Sequence, residues 1–271
     1  MRGIPRIARS LLRASHPVPA VAVTVLAMLL AVGQYDDVGM VALLTAAAFT
    51  GQLTIGWSND LVDAERDRQV GRRDKPLATG ELTFGLLATA LAVVLVCCVV
   101  LSLWLGLLAG LAHLGLLVAS GWAYNLGLKK TWWSWAPYAV AFGSLPAVVT
   151  LALDPPRLPP VWMSAAAAML GVGAHLVNAL PDFTEDTATG ITGFPHRLGR
   201  AAAQRVATAL FVVASLLAVL GPPGPPAAWV WLLLALVVLI AAAGQSGRRP
   251  FLAAIAIALI DATMLLVQGA G

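Results

Sequence analysis

The chain has 271 residues, of which 59% are hydrophobic and only 11% charged, with a net charge of +4. A soluble domain carries about 25% charged residues, so the composition excludes a soluble enzyme and predicts an integral membrane protein. The basic residues lie in short loops rather than in one patch, which argues against nucleic acid as a partner. Adjacent Cys97 and Cys98 in an apolar run cannot build a disulfide framework or a metal site.

Arg2, Arg6, Arg9 and Arg13 precede an apolar run that continues to about Gly33 without a small-x-small cleavage site. This predicts a first transmembrane helix rather than a signal peptide. Crossing a bilayer takes about 20 apolar residues. Nine such runs follow one another, at 17–34, 38–58, 83–103, 106–124, 132–153, 160–180, 201–220, 227–243 and 251–268. Turn residues and charges separate them: Asp36-Asp37, Lys129-Lys130, Asp154-Pro155-Pro156, the Gly221–Pro226 stretch and Arg248-Arg249-Pro250. The expected fold is therefore all-α, a single membrane-embedded domain over 1–271 with nine transmembrane helices. With nine crossings, 16 of the 17 Lys and Arg residues fall on one side, and only Arg157 on the other. The positive-inside rule then places the N-terminus in the cytoplasm and the C-terminus outside the cell membrane.

The longest polar interruption begins with Asn59-Asp60-Leu61-Val62-Asp63-Ala64-Glu65-Arg66-Asp67 and ends in the basic cluster Arg72-Arg73-Asp74-Lys75. On a helix, Asn59, Asp63 and Asp67 line one face, with Asp60 beside them. Such a wall of carboxylates repels itself unless a cation sits there, and Mg²⁺ takes oxygen ligands of this kind. A second cluster recurs after run six. Asn59, Asp63, Asp67, Gly71, Pro76 and Gly80 match Asn178, Asp182, Asp186, Gly190, Pro195 and Gly199, every pair separated by 119 residues. Four helices lie between the motifs, so both emerge on the same face. This predicts two parallel four-helix repeats plus one helix around a central cavity. The cytoplasmic motif segments are 59–82, 125–131 and 181–200.

Two facing carboxylate clusters would hold two or more Mg²⁺ ions, with a polyanion between them, most simply a diphosphate. Arg72, Arg73, Lys75, Lys129, Lys130 and Arg197 fall on the same side, where guanidinium forks and ammonium point charges would grip phosphate oxygens. A long apolar cavity in the membrane body would take a hydrophobic tail. The substrate so described is an isoprenyl diphosphate.

These residues resemble the UbiA superfamily of intramembrane prenyltransferases. Asn59, Asp60, Asp63 and Asp67 match its N-D-x-x-D-x-x-x-D pattern, and Asp182 and Asp186 its D-x-x-x-D pattern. Residues 73–80 look like its basic R-P-L-x-x-G segment, with Lys75 where Arg is commoner. Tyr124 through Lys129 resembles its tyrosine–lysine segment after helix four. The 193–199 stretch departs from the family's pattern at Phe194 and His196, which leaves the acceptor subclass open. The resemblance implies a Mg²⁺-dependent ionisation. Asp60, Asp63, Asp67, Asp182 and Asp186, with Asn59 and Asn178, would hold the metals, Asp63 and Asp182 being central to catalysis. Loss of diphosphate leaves an allylic cation in an apolar chamber, with Trp122 and Tyr124 offering π-faces. A lipophilic acceptor, typically an aromatic ring, then attacks it.

Other polar groups lie within the apolar runs: His113, His175 and Asp261. His175, one turn deeper than Asn178, is a candidate acceptor contact; His113 reads as a packing hydrogen-bonder, and Asp261 as a cavity or packing group. Three alternative functions share parts of this pattern. A terpene cyclase of the same superfamily would ionise the diphosphate with no acceptor. A phosphoribosyl transferase acting on polyprenyl phosphate shares the first motif. An ion or phosphate transporter would place its site nearer the bilayer midplane than these helix-end motifs allow.

Overall fold

The computed structural model describes residues 3–188, 190–243 and 249–269. Arg2 and the 244–248 connection, both used in the charge count above, lie outside them. Among the described residues the chain is helical throughout, with no strand. Its helices are α1 Gly3–Ala14, α2 Pro17–Val32, α3 Val38–Gln69, α4 Phe84–Trp104, α5 Leu107–Ala112, α6 Ala119–Leu126, α7 Ala136–Leu151, α8 Val161–Asn178, α9 Phe183–Ala188, α10 Phe194–Leu198, α11 Arg200–Leu220, α12 Ala228–Ala243 and α13 Arg249–Gly269.

Helices cover the apolar runs read from the sequence, but they do not all reach membrane-spanning length. Six segments are long and apolar enough to cross: Val38–Gln69, Phe84–Trp104, Leu107–Leu126, Trp132–Leu151, Val161–Asn178 and Arg200–Leu220. A seventh is counted if α1 and α2, bent by 70° at their junction, form one span, and two shorter apolar helices cover Ala228–Ala241 and Pro250–Met264. At 1.5 Å per residue the 16 residues of α2 rise about 24 Å, short of a hydrocarbon core of about 30 Å. The protein is a multi-pass membrane protein.

Two features shape the interior. α3 runs unbroken for 32 residues, so the apolar run and the first acidic motif are one rod. Asp37 starts it by accepting a hydrogen bond from the Gly39 N–H, an ordinary N-cap. The run at 106–124 is interrupted by a π-helical turn at His113–Val118. Here Ser102 Oγ and His113 Nδ1 lie 2.7 Å apart, and the absent side chain of Gly51 leaves room for the imidazole. His113 is thus a buried packing group. Asp261 is likewise buried and accepts a hydrogen bond from Ser215 Oγ at 2.9 Å, joining α13 to α11.

The α1–α2 junction sits tightly on α3. A Cβ on Gly56 would lie 2.5 Å from the Ser15 carbonyl oxygen and 2.8 Å from its carbon. Backbone cannot yield as a side chain tip does. Gly56→Ala is therefore expected to cost about 1–3 kcal/mol through overpacking, read as a lower unfolding temperature in detergent. Gly85→Ala, whose Cβ meets nothing within 4 Å, is the control and should leave the temperature near wild type.

Candidate functional site

The site is assembled at the end of α3. Asp60, Asp63 and Asp67 are all buried there, and each carboxylate already has a cation from the chain. Lys75 Nζ donates to Asp60 Oδ1 at 2.6 Å. Lys129 Nζ lies 2.5 and 2.6 Å from the two oxygens of Asp63. The Arg66 guanidinium reaches Asp67 Oδ1 at 3.0 Å and Asp63 Oδ2 at 3.2 Å. Lys75 and Lys129, expected from the sequence to grip a diphosphate, here face the first motif's own carboxylates. Burial pulls the Lys129 ammonium below its usual pKa, and the Asp63 charge pulls the other way.

His16 completes the Asp60 corner. It is the described non-glycine residue with positive φ, at 53°, a left-handed conformation that costs energy and is tolerated where surrounding contacts fix it. Its Nε2 lies 3.1 Å from Asp60 Oδ1 and 2.9 Å from Lys75 Nζ. Pro17 follows at the first turn of α2, where its fixed φ suits a helix start.

The second motif is more open. Asn178 ends α8 and is exposed; Asp182 lies in the turn before α9. The Arg72 guanidinium bridges the two motifs, bonded to Asp74 and 3.8 Å from Asp182. That pairing lowers the Asp74 carboxyl to about 2. Asp186 lies 3.7 Å from His196 Nε2, and burial lowers the His196 pKa. Phe183 stacks on the His196 ring at 4.5 Å. Arg73, Lys130 and Arg197 are exposed, Arg197 donating to the Thr192 carbonyl. Gly193 seals this segment against the Lys129 loop: a Cβ there would lie 2.5 Å from the Lys129 carbonyl oxygen.

Both motifs meet at one cavity of about 250 Å³. The equivalent carboxamides Asn59 and Asn178, 119 positions apart, both line it, with His16, Tyr124 and Tyr138 near its polar end. Tyr124, Tyr138 and His175 form an aromatic cluster. The His175 ring stacks on Tyr138 at 4.6 Å and meets Tyr124 edge-on at 5.6 Å. His175 itself is buried, with Nε2 3.0 Å from Ser134 Oγ, so it supports the tyrosines from behind. Trp122 Nε1 donates to Thr54 Oγ1 at 3.3 Å.

Four residues of this arrangement escaped the sequence reading. Asn125 donates to the Ile55 carbonyl and to Ser58 Oγ, and accepts from Asn59. It sits inside the tyrosine–lysine segment, so adjacency to Tyr124 was the available signal. Ser134, Tyr138 and Gln52 carried none, because only tertiary packing brings Tyr138 and Gln52 to the cavity and Ser134 to His175.

Divalent metal fits this donor set. The acids supply only oxygen, the preference of a hard cation, and Asp60 Oδ2 is buried without a hydrogen-bond partner. Among the described residues no three acidic, histidine or cysteine groups converge into a ready-made cage. Mg²⁺ commonly keeps waters and substrate phosphate oxygens in its shell.

No curated protein sequence matches the chain. Solved structures share its fold. A UbiA homolog from Archaeoglobus fulgidus bound to dimethylallyl diphosphate (DMAPP) and Mg²⁺ aligns with a TM-score of 0.71 at 18% identity, covering 96% of this chain and 97% of that one. The same homolog bound to geranyl diphosphate (GPP) and Mg²⁺ gives 0.70 at 16%, covering 96% and 98%. A digeranylgeranylglyceryl phosphate synthase gives 0.67 at 18%, covering 99% and 98%. At sequence level, the pattern of the UbiA prenyltransferase family matches residues 20–260. With nearly the whole chain matched and both acidic motifs at one cavity, the protein belongs to the UbiA prenyltransferase family.

Proposed function

We propose that the protein transfers a prenyl group from an isoprenyl diphosphate to an aromatic or other lipophilic acceptor, in a Mg²⁺-dependent reaction. The observation that carries this reading is the convergence of Asn59 and Asn178, one residue from each acidic motif, on one largely apolar cavity. The relatives bound to GPP or DMAPP with Mg²⁺ support it. Asp60, Asp63, Asp67, Asp182 and Asp186, with Asn59 and Asn178, would hold Mg²⁺, which when bound offsets the charge growing on the departing diphosphate.

The chain's own residues do the rest. Arg72, Arg73, Lys130 and Arg197 attract and orient the diphosphate. Lys75 and Lys129 pass from carboxylate to phosphate oxygens as the donor docks. The allylic C–O bond breaks with its electron pair leaving on the diphosphate. Tyr124 and Tyr138 face the resulting cation with π-density, and the apolar wall excludes water; Trp122, expected from the sequence to join them, does not line the cavity. The acceptor's electron pair forms the new bond, and the acceptor then loses a proton. In this reading the chain is one domain of nine crossings, two parallel repeats and a last helix, with its N-terminus and motif segments cytoplasmic.

The test is mass spectrometry of products from the purified protein given prenyl diphosphates of several lengths, with and without Mg²⁺ and aromatic acids. Mg²⁺-dependent diphosphate release with an acceptor-linked product is expected. A hydrocarbon formed without acceptor would make the protein a cyclase, and no diphosphate release from any donor would overturn the reading.

A further inference from the structure

The cavity extends from Asn59 and Asn178 into the helix bundle. Helix α2 enters it at His16 and leaves at Leu26; α7 runs from Pro137 to Leu145, and α8 from Asn178 to Leu170. On α13 the lining runs from Phe251 to Leu259, and Leu117 lies eight residues before Asn125. Each helix thus contributes a leucine at the deep end. Leu26, Leu117, Leu145 and Leu170 are buried and belong to one contiguous core cluster, with Leu259 packed against it. The polar exception at this depth is Gln52, seven residues before Asn59 on α3.

Beyond the leucines lies a second, smaller cavity of about 30 Å³. It is lined by the next turns of the same helices: Leu29 and Leu30 of α2, Val149 of α7, Met163 of α8 and Ala262 of α13. A layer of leucine side chains separates two spaces stacked along one bundle.

We propose that this leucine layer is the floor of the donor site and fixes the prenyl tail at two to three isoprene units. The inference rests on the donor reading given above. Eight residues of helix separate mouth from floor on α7, α8 and α13, about 12 Å at 1.5 Å per residue. Three backbone bonds of an extended chain span about 3.8 Å, so an isoprene unit with four main-chain bonds spans about 5 Å. A geranyl tail of about 10 Å therefore fits above the leucines, a farnesyl tail of about 15 Å reaches into their layer, and a geranylgeranyl tail of about 20 Å has to pass it. Leu145 and Leu26 are the specificity residues, because each is followed by a residue lining the smaller cavity, Pro146 or Val149 and Leu29. Shortening either joins the two spaces. Ala141, one turn nearer the mouth than Leu145, is where added bulk would raise the floor.

The test measures the dissociation constants of geranyl, farnesyl and geranylgeranyl thiolodiphosphates, which resist turnover, for the full chain in lipid nanodiscs with Mg²⁺. Wild type is expected to bind the C20 donor about tenfold more weakly than C15, the cost of displacing two or so buried methylenes. Leu145→Ala should erase that gap, and Leu26→Ala provides an independent second opening. Ala141→Leu should weaken C15 while sparing C10. Equal affinity for all three donors in wild type, or an unchanged C20-to-C15 ratio in both folded alanine variants, would overturn the floor. Absence of Mg²⁺-dependent binding for every donor would instead overturn the donor reading, and the floor with it.

Discussion

Asp63→Ala is expected to lower the unfolding temperature as well as to stop turnover, and Lys129→Met is expected to destabilise less, because Arg66 and Asn59 still contact Asp63. The reason is the exposure of the pair. The Lys129 and Asp63 side chains are only 5% and 9% accessible, so the small values typical of surface ion pairs do not apply. Removing one partner of a buried pair strands the other, at about 3–5 kcal/mol. Asp63→Ala leaves the ammonium of Lys129 buried without its carboxylate. The double variant Asp63→Leu/Lys129→Met replaces the pair by apolar groups and should recover stability to within about 1–2 kcal/mol of wild type. It should not recover turnover. Thermal unfolding and Mg²⁺-dependent diphosphate release, measured on the same preparations, separate the two effects. Near-normal turnover in the stable double variant would remove Asp63 from the reacting centre. Failure of that variant to regain stability would show that the pair's geometry, rather than the stranded charge, carries the cost.

Asp182→Ala should behave differently. Asp182 is 49% exposed at the side chain, and its described cation, Arg72, lies 3.8 Å away. Solvent screens such a pair, so the unfolding temperature should stay within the scatter of ordinary surface substitutions, about ±0.5 kcal/mol. Turnover should still fall about a hundredfold or more, as when a group stabilising developing charge is removed. The measurement is the initial rate of diphosphate release at saturating Mg²⁺. A rate near wild type would refute a site built from both motifs. The repeat is therefore asymmetric in use. The acids of its first copy are packed into the bundle, while Asn178 and Asp182 of its second copy are exposed and Asp186 is half-buried.

Much of this was legible in the chain. Apolar runs announced the helices, because burial in lipid leaves few alternatives to an apolar helix. The 119-residue offset pairs Asn59 with Asn178, and both line one cavity. What sequence could not give was partnership at a distance. Lys75 and Lys129 look like free cations in a basic loop, yet contacts spanning 15 and 66 positions attach them to Asp60 and Asp63. Tyr138 and Ser134 read as ordinary residues of an aromatic-rich helix start, and become part of the site only through the packing of α7 on α8. The π-helical turn at 113–118 depends on Ser102 and Gly51, residues of two other helices. The number of crossings is less legible for a simpler reason: composition measures apolarity, and helix ends are set by local capping.

The first helix has a consequence for handling the protein. Arg13 binds Glu81 and the Asp74 carbonyl, Ser10 donates to Glu81, and the Trp57 indole donates to the Leu11 carbonyl. Those contacts fasten α1 over the loop that presents Lys75, and His16 at its exit touches Asp60. The family match begins only at residue 20. Trimming the chain to that boundary would keep every motif and discard the clasp that holds the basic loop in register with the first acid. Expression from residue 20, or a bulky N-terminal fusion, would thus yield a protein intact by its signature and loosened at its mouth.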